Sequence, residues 1–216
     1  TKACMDRLGC AIRQGYGMTE TSPVTHSSPS SPEAVKFGSV GVAAPNTECK
    51  IVDLTTGESL GPCREGEVCV RGPQIMKGYL NKPDATAITI DSDGWLHTGD
   101  IGYVDEDGHF FIVDRLKELI KYKGFQVPPA ELEAVLLAHS SVADAAVIPY
   151  PDDEAGEVPK AFVVLKNQIE PEELMDFVAQ RVSSYKRIRY IEIVEQIPKS
   201  PSGKILRRVL VDRERA

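Results

Sequence analysis

The sequence predicts a mixed fold, α/β and α+β, in two successive domains. From about residue 36 to residue 114, short segments alternate apolar and polar side chains between Gly and Pro residues, which is typical of strands. After residue 115 the composition changes, and helical periodicities alternate with strand-like runs over about a hundred residues, enough for a separate core. We therefore expect one domain at residues 1–115 and a second at residues 116–216.

The first domain is expected to be rich in strands. Residues 10–13 look like a short strand, and the Gly-rich segment "QGYGMTETSP" after them looks like a turn followed by a Ser/Pro loop. The segments "ECKIVDL" and "EVCVRG" have the alternation of half-buried strands. The segment "GYVDEDGHFFIVDR" predicts a hairpin with Asp107 and Gly108 in its turn.

The second domain is expected to combine helices and strands. The segment "PPAELEAVLLAH" predicts a helix that begins near Pro128 and Pro129, with Leu132, Leu136 and His139 on one face together with Val135. A second helix is predicted for "EPEELMDFVAQRV". Strands are predicted for "VADAAVIPY", "KAFVVLK" and "YIEIVEQI".

Composition and charge exclude several classes of function. The chain has 216 residues and a net charge of −7, which disfavours general nucleic-acid binding because phosphate contacts need a basic face. No apolar run is long enough for a membrane span. The five cysteines all lie in the first third without a CxxC pair, which indicates a reduced, cytoplasmic compartment, and the four histidines have no metal-ligand spacing. The opening residues do not look like a natural start, so we expect a fragment.

Two Gly-containing segments in the first domain could bind a ligand. In "QGYGMTET", Gly15 and Gly17 allow a close backbone approach, Tyr16 could stack on a ring, and Glu20 could coordinate Mg²⁺. In "GWLHTGD", the Asp100 carboxylate closes a Gly turn and could accept both hydroxyls of a ribose. The plain alternative for both is a surface turn with an acidic side chain.

Two basic segments accompany them in the second half of the chain. In "DRLKELIKYKGFQ", Arg115 and three lysines (Lys117, Lys121 and Lys123) surround Leu119 and Ile120. In "IPKSPSGKILRR", Lys204 follows Gly203, but the full phosphate-loop pattern G-x-x-x-x-G-K-[ST] is missing. A solvated basic edge and an exposed tail lysine are the plain alternatives.

The four segments, in this order, resemble the C-terminal part of the adenylate-forming superfamily, which includes acyl- and aryl-CoA synthetases, firefly luciferases and the adenylation domains of peptide synthetases. The wording "GYGMTET", "GEVCVRGPQIMKGYL", "GWLHTGDIGYVDEDGHFFIVDRLKELIKYKGFQVPPAELE" and "PKSPSGKILRR" is most similar to 4-coumarate:CoA ligases and their luciferase relatives. The resemblance runs essentially end to end. It implies the end of a large AMP-binding domain with a β-barrel-like portion, followed by a small mobile C-terminal domain.

The resemblance also implies roles for residues of the first Gly-containing segment. Gly15, Tyr16 and Gly17 would form the wall of the adenine and acyl pocket, with Tyr16 against the adenine. Thr19 would contact the α-phosphate of ATP. Glu20 would bind the Mg²⁺ ion.

Further roles follow from the resemblance for the later segments. Asp100 would hold the ribose hydroxyls with help from Arg115, and Lys117 would lie at the hinge between the two domains. Lys204 would be the catalytic lysine of adenylation, between the carboxylate and the α-phosphate. A loop with Lys121, Lys123, Gly124 and Gln126 would reach the active site in one or other orientation of the domains. Lys121, a second catalytic lysine, would serve the thioester step with Lys123 and Gly124, and Gln126 would contact the nucleotide.

The resemblance implies an ATP-dependent carboxylate–CoA ligase with Mg²⁺, ATP and coenzyme A as cofactor and co-substrates and a small carboxylic acid as substrate. The family's upstream phosphate-binding loop has no counterpart here, so the remainder of the protein is an expected partner and the fragment alone is expected to be inactive. A luciferase-type monooxygenase and a catalytically incomplete piece remain alternatives. The Ser-Gly-Lys and Lys-Gly-Phe wording argues against a peptide-synthetase domain. A cytoplasmic location is expected, or a peroxisomal one if the C-terminus is trimmed.

Overall fold

The computed structural model describes residues 2–10, 12–201 and 203–214. The chain divides into two compact units, Thr1–Leu116 and Lys117–Ala216. The boundary predicted after residue 115 lies one residue before this division. Within the described residues, none of the helices combines the length and the apolar character that crossing a membrane requires.

The first unit begins with a helix and a small antiparallel sheet. Helix α1 spans Lys2–Leu8, and strands β1 (Gly15–Gly17), β2 (Val24–Ser27) and β3 (Val42–Ala43) pair in the order β1-β2-β3. The strand predicted at residues 10–13 is wrong for Cys10, Ile12 and Arg13, and residue 11 lies outside the described residues. Strand β1 lies instead in the Gly-rich segment, which was predicted to be a turn. Hydrogen bonding to β2 holds this segment in an extended conformation.

A five-stranded antiparallel sheet follows in the same unit. Its strands are β4 (Glu48–Val52), β5 (Ser59–Leu60), β6 (Gly66–Arg71), β7 (Leu96–Val104) and β8 (Phe110–Arg115), in the order β5-β4-β6-β7-β8. The two alternating strands and the hairpin are confirmed. The sheet is open, with β5 and β8 unpaired to each other among the described residues, so the barrel-like portion is not a closed barrel. Helix α2 (Pro83–Thr89), between β6 and β7, was not predicted.

The second unit is built around another five-stranded sheet. Its strands are β9 (Ile120–Tyr122), β10 (Phe125–Val127), β11 (Val142–Asp152), β12 (Gly156–Leu165) and β13 (Tyr190–Ile193). The order is β10-β9-β12-β11, with β13 parallel to β12. Three helices complete the unit: α3 (Pro129–Leu137), α4 (Pro171–Ala179) and α5 (Arg207–Glu214).

Helices cover both faces of this sheet. Leu132 and Leu136 of α3, with Leu174 of α4, pack in one core with Val147 of β11. The alternate residues of β11, such as Ile148, pack in a second core with Phe162 and with Leu210 of α5, because successive strand residues face opposite sides. The two predicted helices and the strands β11 and β12 are confirmed. The predicted strand at β13 ends four residues early, and α5 was not predicted.

Candidate functional site

Asp100 lies in a bulge inside β7. Cys69 pairs with His97 and Glu67 pairs with Ile101, so three residues of β7 face one residue of β6 at this point. Gly99, in the middle, has a φ of 70°, a left-handed conformation that favours glycine. The segment predicted to be a turn after a strand is therefore an interruption within a strand, and such bulges redirect side chains.

The bulge brings three predicted site residues together. The Tyr16 hydroxyl donates a 2.6 Å hydrogen bond to Asp100 Oδ2, although 84 positions separate the two residues. Arg115 Nε lies 3.4 Å from Asp100 Oδ1. The Asp100 backbone N–H donates to Thr98 Oγ1 at 3.1 Å. Asp100 is thereby held with its carboxylate between a phenol and a guanidinium.

Burial governs the protonation of this group. It raises the pKa of the Asp100 carboxyl, and the hydrogen bond from Tyr16 and the charge of Arg115 act in the opposite direction. Burial also raises the pKa of Tyr16, and the neighbouring carboxylate raises it further, so the phenol stays a donor. A carboxylate has about four acceptor positions. Asp100 therefore has the capacity to accept ribose hydroxyls beside its present contacts.

The pairing of β1 with β2 leaves no room for a side chain at Gly17 and little room for one at Gly15. A Cβ added at Gly17 would lie 1.7 Å from the carbonyl oxygen of Pro23, and one added at Gly15 would lie 3.2 Å from that of His26. Gly17 therefore has a structural role that the sequence did not indicate. This close pairing sets Tyr16 opposite the buried His26, with 5.7 Å between their ring centres.

Thr19 and Glu20 lie in a short 3₁₀ helix, Thr19–Thr21, directly after β1. Glu20 Oε1 accepts a 2.7 Å hydrogen bond from the Tyr79 hydroxyl, and the Glu20 carbonyl accepts from the Met76 N–H at 2.8 Å. The contact to Glu20 raises the pKa of Tyr79. One oriented carboxylate suits Mg²⁺, which uses one or two carboxylates together with waters and substrate phosphates. Sequence analysis did not identify Tyr79.

Glu67 supports the bulge, and it too was not identified from the sequence. Its Oε1 accepts from the Gly99 N–H at 3.0 Å, and its Oε2 lies 2.7 Å from His97 Nδ1. Thr98 Oγ1 donates to the Val68 carbonyl at 2.7 Å. The sequence did contain one indication of this role. Glu67 is an acidic residue in a predicted alternating strand, and residues two positions apart in a strand share a face.

In the second unit, a tight hairpin carries the predicted loop residues. Lys121 of β9 pairs with Gln126 of β10, and Lys123 and Gly124 form the two-residue connection with φ angles of 45° and 84°. Positive φ at both positions is the geometry that matches the twist of a hairpin. Lys123 forms an ion pair with Glu154. The Lys121 side chain is exposed.

Lys204 lies in a separate turn, and Lys117 in a 3₁₀ helix. The Ser200 N–H donates to the Lys204 carbonyl and the Gly203 N–H donates to the Ser200 carbonyl, both at 2.8 Å. Ser202 of this turn lies outside the described residues. The Lys204 side chain is exposed. The 3₁₀ helix Leu116–Glu118 carries the exposed Lys117 at the start of the second unit.

Arg207, whose side chain is 15% exposed, anchors the end of the Lys204 turn. Arg207 NH2 lies 2.7 Å from Glu133 Oε2, and Arg207 NH1 contacts Glu118 Oε2. Glu133 is buried, and its Oε1 accepts from the Val147 N–H at 2.8 Å. The turn is thus tied to α3, to β11 and to the 3₁₀ helix that holds Lys117. Sequence analysis treated Arg207 only as part of a basic loop.

Comparison with known proteins identifies the class. Residues 1–80 match the AMP-binding enzyme family, and residues 131–204 match the AMP-binding enzyme C-terminal domain. The chain belongs to the AMP-binding enzymes, and the resemblance found in the sequence is confirmed.

Within that family the chain is similar to 4-coumarate–CoA ligases. It is 60% identical to 4-coumarate-CoA ligase 2 of Narcissus pseudonarcissus over 204 residues, which are 92% of this chain and 36% of that protein. The chain thus spans little more than a third of the length of this relative.

Solved structures of one relative carry informative ligands. The chain is 36% identical to the o-succinylbenzoate CoA synthetase of Bacillus subtilis in complex with its acyl-adenylate intermediate, with a TM-score of 0.85 over 96% of this chain and 42% of that one. It is 37% identical to the complex of that enzyme with ATP and a magnesium ion, with a TM-score of 0.84 over 96% and 43%.

Proposed function

We propose that the chain is the C-terminal portion of an ATP-dependent carboxylate–CoA ligase of the 4-coumarate type. The carboxylate would attack the α-phosphorus of ATP, forming an acyl-adenylate as pyrophosphate leaves. The CoA thiol would then attack the acyl carbon, lose its proton and release AMP. The observation that carries the proposal is the buried Asp100 carboxylate held between Tyr16 and Arg115, in a chain 60% identical to a 4-coumarate–CoA ligase.

The first unit would bind the nucleotide. Asp100 and Arg115 would hold the ribose, Tyr16 would lie against the adenine, and Thr19 would contact the α-phosphate. Gly15 and Gly17 would form the wall beside them. Glu20 would bind Mg²⁺, which when present neutralises phosphate charge.

The second unit would supply two lysines in turn. A carboxylate that approaches a phosphate is repelled, and an ammonium between them offsets that repulsion and the charge that develops in the transition state. Lys204 would take this role, because its side chain is exposed on its turn. Lys121 would serve the thioester step, beside Lys123, Gly124 and Gln126 on the same hairpin. Lys117 would be the hinge between the two arrangements.

The test separates the half-reactions in the full-length protein. Lys204→Ala should lower ATP–pyrophosphate exchange by orders of magnitude, since a transition-state donor in such a site is worth about 3–4 kcal/mol. It should spare thioester formation from supplied acyl-adenylate. Lys121→Ala should impair mainly the thioester step. Lys166→Ala, an exposed lysine of the same unit, is the matched control. Equal loss of both half-reactions in both variants would contradict the proposal.

Two alternatives have their own measurements. Light emission by the full-length protein with a luciferin would favour the luciferase-type monooxygenase. The 216-residue chain by itself should not catalyse pyrophosphate exchange, because its sequence contains no Ser/Thr/Gly-rich stretch ending in Lys of the kind that cradles the β- and γ-phosphates in the family. Robust exchange by a monomer of the chain would show that this loop is not needed. A cytoplasmic location stays a prediction.

A further inference from the structure

Three side chains with metal-binding atoms meet on one face of the five-stranded sheet of the first unit. Glu67 and Cys69 lie two positions apart on β6, and His97 lies directly opposite Cys69 on β7. Their ligand atoms all lie within 4.8 Å of one another. Cys69 Sγ is 3.5 Å from His97 Nδ1, and His97 Nδ1 is 2.7 Å from Glu67 Oε2. None of the residues proposed to contact the nucleotide belongs to this set, and Glu67 also accepts from the Gly99 N–H in the bulge beside Asp100.

These separations are close to those of a zinc site. With Zn–S near 2.3 Å and Zn–N near 2.0–2.1 Å, a tetrahedral angle puts sulfur and nitrogen about 3.5 Å apart. The Cys69–His97 distance of 3.5 Å already has this value. Nitrogen and oxygen ligands would lie about 3.4 Å apart. Glu67 would therefore move back by roughly 0.7 Å, which a side-chain rotation of a partly exposed carboxylate can provide.

We propose that Glu67, Cys69 and His97 form a binding site for a zinc-like divalent cation, with water in the fourth position. The ligand set of thiolate, imidazole and carboxylate suits Zn²⁺ or Co²⁺ and is poorly suited to Mg²⁺, which prefers oxygen. Both strands are held in a sheet, so the ligands are largely in place before the ion binds. The proposal is independent of the Mg²⁺ ion expected at Glu20.

Asp91 provides the outer contact that metal-bound histidines usually have. Its Oδ2 lies 3.6 Å from His97 Nε2, on the far side of the ring from Cys69. A histidine that binds a metal through one nitrogen commonly presents the other N–H to a carboxylate. On binding, His97 Nδ1 would give its lone pair to the ion, and the ring proton would reside on Nε2, facing Asp91.

The Cys69 thiol must lose its proton when the ion binds. Burial raises the pKa of this thiol to about 12, with a further contribution from Glu67. The charged or titratable groups that act on it are Glu67, Asp91 and Lys50, together with His97 in contact. Binding of a divalent cation therefore releases this thiol proton to solvent.

The first experiment uses Co²⁺ as a spectroscopic probe for the 216-residue chain. Bound Co²⁺ should give a thiolate-to-cobalt charge-transfer band, and added Zn²⁺ should abolish it by displacement. Cys69→Ser and Cys69→Ala should lose the band. Cys63→Ser, an exposed cysteine of the same unit, is the matched control and should keep it. Absence of the band in the wild-type chain, or its loss in the Cys63 variant alone, would overturn the proposal.

A second set of variants guards against misfolding at the buried Cys69. Asp91→Asn leaves all three ligands in place and should weaken Zn²⁺ binding about 10–100-fold. His97→Gln should weaken it by more than Asp91→Asn does. Zn²⁺ affinity is measured by competition with a chromophoric chelator, and circular dichroism verifies each fold. Unchanged affinity in folded His97→Gln and Asp91→Asn variants would show that the ion binds elsewhere.

Discussion

Replacing Arg207 by methionine should strongly destabilise the second unit. Methionine keeps much of the side-chain volume but removes the charge that faces Glu133 and Glu118. Glu133 has only 8% of its side chain exposed, so the substitution would remove a cation from a carboxylate that water reaches poorly. Removing one partner of a buried ion pair costs about 3–5 kcal/mol. For a unit of about a hundred residues, each 1 kcal/mol lowers the melting temperature by about 4–8 °C, so we expect a decrease of more than about 10 °C.

The assay must report on the second unit alone. The chain has a single tryptophan, Trp95, in the first unit, so fluorescence would follow the wrong part of the molecule. Hydrogen exchange of the amides of β11 and β12 measures the stability of the second unit within the whole chain. Calorimetry on the same samples gives the melting temperature.

A double variant tests the stated cause. Glu133→Gln keeps an oxygen that can accept from the Val147 N–H but removes the charge, so Arg207→Met with Glu133→Gln should be more stable than Arg207→Met alone. Arg208→Met is the control, because its side chain is 92% exposed, and it should have a negligible effect. A loss below about 1 kcal/mol in Arg207→Met, or no recovery in the double variant, would refute the explanation by a buried charge.

Three further variants test the first unit. Asp100→Ala in the full-length protein should raise KM for ATP and leave KM for the carboxylic acid nearly unchanged, because it removes ribose acceptors; an unchanged ATP dependence would mean that Asp100 is only structural. Burial lowers the pKa of His26 to about 4, whereas in the unfolded chain the pKa is about 6.5. The unfolded state therefore binds a proton first as the pH falls, and about 3 kcal/mol of stability that is present above pH 6.5 is lost by pH 4. His26→Phe should flatten the decrease in urea stability over that range, and parallel curves would contradict this. Gly17→Ala should lower the free energy of unfolding by about 1–3 kcal/mol or more, since its Cβ would overlap the Pro23 carbonyl. Gly61→Ala is the control and should be tolerated, because Gly61 has open space around it. Thermal unfolding compares the two variants.

Local patterns were sufficient where one segment holds its own signal. The hairpin β7–β8 was found from alternation around Asp107 and Gly108, and α3 and α4 from their 3.6-residue periodicity after a proline. Strand β1 was missed because two of its three residues are glycines, which have no side-chain alternation to detect. Helix α5 was missed because most of its residues are charged. Its few apolar residues, such as Leu210, contact the sheet and give only a weak periodic pattern.

The residue types of the candidate site were visible in the sequence, but their partners were not. Asp100 was identified from the segment "HTGD". That segment alone does not show that a bulge turns the Asp100 side chain toward Tyr16. His97 and Cys69 are 28 positions apart, so no ligand-spacing rule detects them as a pair. Residue identity and short-range periodicity are properties of a few consecutive side chains. Strand register and the bulge in β7 depend on hydrogen bonds and packing between segments far apart in the chain, and only the assembled sheet specifies which side chains meet.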